Sequence, residues 1–104
     1  MKHKFKAIPV KSESGHFPSK LEYRYFLHLV NLQKIGDVLF FLRQVPFHLP
    51  GGVKYVCDFQ IFYKNGDILF VDVKGVETDT FKIKRKIVED VYPIKINIVT
   101  SKDF

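Results

Sequence analysis

The chain predicts an α/β fold in the element order αβββαβ, a sheet with helices packed on it. Three observations carry that prediction. A serine-capped amphipathic stretch comes first. Three strand-like runs follow, parted by Pro50-Gly51-Gly52 and by an Asn65-Gly66 hairpin signal. A second capped stretch then stops at Pro93, ahead of an alternating isoleucine run. At 104 residues this is one domain, long enough to bury a core.

Residues 1–18 are basic and polar, with Pro9, Gly15 and Pro18, and read as an extended arm or loose hairpin. Ser19-Lys20-Leu21-Glu22 fits the capping box, in which the serine caps one backbone N–H and the glutamate reaches back to another. Leu21, Tyr25, Leu29 and Leu32 share one helical face, widened by Phe26 and Val30, and Gly36 ends the helix. Val38 to Leu49 reads as a strand broken by Pro46. Lys54 to Tyr63 and Asp67 to Lys74 read as the second and third strands. Thr78 to Thr80 offer caps for a second helix reaching about Tyr92, with Ile83, Ile87 and Val91 as its core stripe. Ile94 to Thr100 makes the last strand, alternating Ile94, Ile96 and Ile98.

A net charge of +6 favours a polyanionic partner, nucleic acid before an acidic membrane surface. Eleven Phe and five Tyr suggest surplus sticky surface and a homodimer. Cys57 is the only cysteine, so it has no disulfide partner within the chain, which fits a reducing compartment. The start, Met1 to Lys6, lacks a signal peptide's apolar run, and no stretch is long and apolar enough to span a bilayer. A cytoplasmic protein is expected.

Three charges interrupt the apolar strands. Asp58 follows Tyr55-Val56-Cys57, and Asp72-Val73-Lys74 follows Phe70-Val71. Charge inside a strand is costly unless a metal or a partner compensates it. Asp72 and Lys74 are two apart and share a face. Asp58 joins them if the hairpin loop is Lys64-Asn65-Gly66 with Gly66 left-handed, because Tyr63 then pairs with Asp67 and Asp58 falls opposite Asp72. A two-residue loop would turn Asp58 to the other side. Two facing aspartates about 5 Å apart repel by roughly 3 kcal/mol at an effective dielectric near 20. A divalent cation, Mg²⁺ or Mn²⁺, turns that repulsion into coordination. Lys74 beside it can orient an attacking water or stabilise a pentacovalent phosphate.

In order and spacing these residues resemble the PD-(D/E)XK nuclease superfamily. Within it they resemble a group of small phage and prophage nuclease-like proteins similar to Holliday-junction-resolving endonucleases. The pieces that match are Ser19-Lys20-Leu21-Glu22, Gln44, Tyr55-x-x-Asp58-Phe59, Asp72-Val73-Lys74-Gly75 and Phe81-Lys82-Ile83-Lys84-Arg85-Lys86. Cys57 stands where the superfamily often has proline. The resemblance implies a restriction-endonuclease-like αβββαβ core with a mixed central sheet flanked by helices. It implies a Mg²⁺-dependent endodeoxyribonuclease with Asp58, Asp72 and Glu22 as metal ligands and Lys74 as a further catalytic residue. Glu22 explains itself equally well as a capping-box residue. Gln44 is either a phosphate or metal-water contact or an ordinary polar strand residue, and Lys84 belongs at the edge of the site.

Lys82, Arg85 and Lys86 point away from the Ile83-Ile87-Val91 stripe and could grip backbone phosphates, as could Lys2, Lys4, Lys6 and Lys11 of the arm. The expected substrate is branched DNA cut by a homodimer, in the host cytoplasm if the protein is phage-encoded. The alternatives are a nickase or end-processing nuclease, and a noncatalytic DNA-binding protein on a nuclease core. His3, His16, His28 and His48 show no metal-ligand spacing and read as incidental, with His28 packed at a helix interface.

Overall fold

The structure, a computed structural model, describes residues 10–12 and 15–104. Strands β1 (Val10–Ser12) and β2 (Gly15–Phe17) form a small antiparallel pair. Helix α1 spans Lys20–Lys34 and strand β3 Val38–Leu49. A 3₁₀ turn over Pro50–Gly52 leads into β4 (Val53–Tyr63) and β5 (Ile68–Val73). Helix α2 (Asp79–Val91) and β6 (Ile96–Val99) complete the chain. The main sheet has the order β3-β4-β5-β6. It is mixed, because the β5–β6 pair is parallel and the other two pairs are antiparallel. The expected αβββαβ core is therefore present, with α2 as the crossover that a parallel pair requires.

Local chemistry explains the elements. The Ser19 hydroxyl accepts from the Glu22 N–H at 3.1 Å and caps α1. At the other end Gly36 adopts φ +92, which lets the Asp37 N–H return to the Leu32 carbonyl at 3.0 Å and close the helix. In the β4–β5 hairpin Gly66 has φ +97, and the Tyr63 N–H donates to the Asp67 carbonyl at 2.9 Å. The three-residue loop forms, and with it the register that pairs Phe59 with Val71.

Two cores lie on the two faces of the sheet. Tyr25 and Leu29 of α1 pack on Val38, Phe59, Ile61, Val71 and Val73. Val88 of α2 packs with Leu49, Tyr55, Cys57 and Ile96, and Phe81, Tyr92, Ile94 and Ile98 close around them. Within β4, Tyr55 and Cys57 thus belong to the α2 core, while Phe59 and Ile61 belong to the α1 core. An uninterrupted strand puts these alternate residues on one face. The facing of β4 therefore reverses at Asp58. Its neighbour β3 reverses beside it: Phe41 packs on the α1 core, and Val45 and Phe47 on the α2 core. The hinge is Gln44, whose φ is +54, and the β3–β4 ladder skips the Gln44–Asp58 step. Pro46, expected to break β3, pairs with Val56 instead, because β3 is an edge strand and an edge tolerates a missing donor.

The expected core stripe of α2 is overturned. Ile83 is 60% exposed and Val91 47%, whereas Val88 is fully buried. The helix carries two apolar stripes, and the one holding the Phe81 and Tyr92 rings buries more surface. Val88→Ala should cost about 1–3 kcal/mol in a urea melt, and Ile83→Ala should stay within about 0.5 kcal/mol. Equal losses at both positions would contradict this packing.

Candidate functional site

The site grows out of the strand reversal. Where β4 turns over, the β4–β5 ladder stops, and side chains take up the backbone groups that the ladder leaves. The Asp58 N–H donates to Asp72 Oδ1 at 2.8 Å, and the Val73 N–H donates to Asp58 Oδ2 at 2.9 Å. Each aspartate thus satisfies a buried amide beside its partner, which is one reason carboxylates are tolerated there. Asp72 is 1% exposed and Asp58 8%. The second oxygen of Asp72 accepts from the Tyr55 hydroxyl, which reaches it from the α2 core.

Glu22 enters from α1 and is 3% exposed. Its backbone N–H serves the Ser19 cap, but its carboxylate turns inward. Gln44 Nε2 donates to Glu22 Oε2 at 3.0 Å, and Arg43 Nη2 lies 3.7 Å from the same oxygen. Glu22 thus serves the Ser19 cap through its backbone amide alone, and its carboxylate faces the candidate site instead of reaching back to close the expected capping box. Arg43 also donates to the His16 carbonyl at 2.8 Å and stacks 3.7 Å from the centre of the Phe17 ring, which ties the β1–β2 hairpin down beside Glu22.

Burial dominates the electrostatics. It pushes the Glu22 carboxyl up to about 8, with the Asp58 charge adding to the rise and Arg43 and Lys74 opposing it. Asp58 and Asp72 are also raised, first by burial. The Val73 and Asp58 amides respectively, and the charge of Lys74 on both, partly offset this. A side-chain hydrogen bond joins Glu22 and Asp58; it adds to the rise of Glu22 and opposes that of Asp58. Three carboxyl groups thus sit in low dielectric with too little positive charge among the described residues to keep all of them ionised.

The residues named from the sequence are only partly gathered. Glu22, Gln44 and Asp58 meet, Asp72 is one hydrogen bond from Asp58, and the charge of Lys74 acts on Glu22, Asp58 and Asp72 alike. Asp58, Asp72 and Glu22 are the residues expected to hold a metal ion together. No group of three or more His, Cys, Asp or Glu side chains among the described residues is spaced to hold a metal ion. The cause is the reversal, which sends Asp58 to Glu22 of α1 while Tyr55 holds Asp72 from the α2 core. The donors nevertheless suit a hard divalent cation. All are carboxylate oxygens, and each oxygen of Asp72 keeps a lone pair beyond the hydrogen bond it accepts.

Arg85 was expected to point outward. It is half-buried, with Nη1 3.7 Å from Glu77 Oε1, and its charge acts on Asp72. Lys84 is half-buried as well, while Lys82 and Lys86 are exposed. Lys2, Lys4 and Lys6 lie outside the described residues, as does the side chain of Lys11. His28 packs on the Tyr25 and Phe104 rings, and Cys57 fills the α2 core, burial pushing its thiol up to about 12. A surface cleft lined by Leu32, Asp37, Tyr63, Lys64 and Asn65 lies at the hairpin end of the sheet, away from these groups.

Sequence reasoning missed Tyr55 and Arg43 as site residues. Both carried a signal. Arg43 is a charge inside an apolar strand, the same oddity that exposes Asp58. Tyr55 is a hydroxyl in a buried run and needs a partner.

Fold and site together define a mixed-sheet α/β protein with buried carboxylates and a lysine at a strand opening. A family model described as "Protein of unknown function (DUF1064)" matches residues 2–103, and the chain belongs to that family. No curated protein and no solved structure matches the chain. No helix among the described residues is long and apolar enough to cross a membrane.

Proposed function

We propose that the protein is a Mg²⁺-dependent DNA endonuclease of the PD-(D/E)XK kind, with Mn²⁺ as a substitute ion. The observation that carries this reading is the cluster of Glu22, Asp58 and Asp72, buried and short of positive charge, with Lys74 acting on all three. A cation bound there would lower the pKa of water and polarise a phosphodiester. Glu22 and Asp58 would hold it, with Asp72 beside them.

The chain's own groups supply the rest. Gln44 orients the Glu22 carboxylate, and Tyr55 and the Asp58 amide orient Asp72. Lys74 places its ammonium against the attacked phosphate, orients the water and takes up charge as the bond to the leaving oxygen breaks. Lys82 and Lys86 lie on the exposed face of α2 and would follow the phosphate backbone without reading sequence. A net charge of +6 favours the same polyanion.

Branched DNA of the four-way-junction type is the substrate proposed, cut by a homodimer in the cytoplasm. Supporting the dimer is the apolar surface left open on the sheet, where Leu39, Phe40, Leu42 and Ile68 are exposed. A noncatalytic DNA-binding protein is the second reading, favoured by the incompletely gathered carboxylates.

Labelled four-way junction, flap and duplex DNA incubated with Mg²⁺ separate these readings. Junction cutting that Lys74→Ala abolishes supports the proposal. Cutting of the flap alone leaves an end-processing nuclease. Binding of all three without cutting, unchanged by Asp72→Asn, leaves the binding protein.

A further inference from the structure

On the α2 side of the site two cations share one aromatic ring. Lys74 Nζ lies 4.5 Å from the centre of the Phe81 ring, and the Arg85 guanidinium carbon lies 5.8 Å from it. Phe81 stands on the first turn of α2, held by the Thr78 cap at 3.1 Å. This places a lysine from the end of β5 and an arginine from α2 around a single rigid platform.

Arg85 is poorly satisfied where it stands. Its Nε is buried and finds no hydrogen-bond partner among the described residues. Its ion pair to Glu77 is long, at 3.7 Å, and half-exposed. A guanidinium has five N–H donors in a planar fork, and a phosphate matches that fork with two parallel bonds where a loosely placed carboxylate does not. Glu77 lies on the β5–α2 loop, three residues after Lys74, where an anion can reach the arginine from solvent.

We infer that Arg85 and Lys74 form a phosphate-binding pair across Phe81, and that Glu77 is an internal counter-ion standing in the place the DNA phosphate takes. This rests on the proposed reading in one respect, that Lys74 faces the phosphodiester. Arg85 thus acts at the site rather than along the outer surface of α2. Glu77 lowers non-productive anion binding, because any incoming phosphate must displace it.

The test is DNA binding in EDTA, where no metal-dependent cutting occurs. Fluorescence anisotropy of labelled duplex and four-way junction is read across a salt series for the parent, Arg85→Met, Glu77→Gln and a control at the hairpin tip, Lys64→Met. Arg85→Met should weaken binding about tenfold and reduce the slope of log affinity against log salt by about one. Glu77→Gln should strengthen binding about two- to fivefold with an unchanged melting temperature. Lys64→Met should do neither. A packing role for Arg85 alone would not give opposite signs at Arg85 and Glu77. Parental affinity in Arg85→Met, or no gain in Glu77→Gln, overturns the inference. If Arg85→Met fails to fold, Glu77→Gln decides alone. Cutting in Mg²⁺ is measured separately. Lost cutting in Lys74→Ala with unchanged Glu77→Gln binding sinks only this inference. Opposite signs without cutting in any variant sink the nuclease reading and leave the anion site standing.

Discussion

Asp58→Asn should melt at a higher temperature than the parent in EDTA and cut DNA about 10³-fold more slowly in Mg²⁺. The two effects share one cause. Asp58 Oδ2 accepts from the Val73 amide, and an asparagine oxygen keeps that bond. The new amide can donate to Glu22, which the structure already places in hydrogen-bond contact with Asp58. What disappears is a buried negative charge held against a second carboxyl. Removing that charge is worth about 1 kcal/mol once the surroundings adjust, which is a rise of roughly 4–8 °C for a domain of this size. The same charge is the one a divalent cation needs, so Mg²⁺ should raise the melting temperature of the parent and barely move the variant. A variant less stable than the parent in EDTA would show that the buried Asp58 charge does not cost the fold stability. A variant that cuts at the parental rate would move the chemistry elsewhere.

The second large effect is an inverted pH dependence. Most domains gain stability as pH rises out of the acid range, because native carboxylates are held below their ordinary values. Here burial raises Glu22 from 4.5 to about 8, so the folded chain keeps a proton that the unfolded chain releases. Its contribution is fully present below 4.5 and is lost as pH climbs towards 8. Asp58 and Asp72 are raised as well and act in the same sense. The metal-free protein should therefore lose stability from pH 5 to 8, with a slope of up to about 1.4 kcal/mol per pH unit for each group in transition. Saturating Mg²⁺ should flatten the slope, and Glu22→Gln should flatten it without metal. Urea melts at several pH values in EDTA measure this. A metal-free stability that rises from pH 5 to 8 would contradict the burial of charge at the site.

Much of this site was legible because local rules carry it. Ser19 ahead of an apolar period gave the start of α1, and Gly66 behind Asn65 decided the hairpin register that brings Asp58 near Asp72. Strands β3, β4 and β5 were bounded by glycine and proline turns. What stayed hidden depended on packing. No glycine marks the reversal at Gln44 and Asp58, and Pro46 keeps its place in the ladder two residues on, because a glutamine takes up the left-handed turn while its side chain binds Glu22. The reversal then sends Asp58 and Asp72 to different neighbours, which spacing along the strands does not reveal. In α2, Ile83, Ile87 and Val91 keep helical period as well as Phe81, Val88 and Tyr92 do. Only the sheet beneath selects between the two stripes, and Arg85 comes inward with the one selected.

A crystal grown at neutral pH and soaked in Mn²⁺ tests the central claim most directly, because anomalous scattering locates that ion. A peak in contact with the carboxylates of Glu22 and Asp58, near Asp72 and Lys74, is the expected result. Ordered, accessible carboxylates with no manganese between them would contradict it.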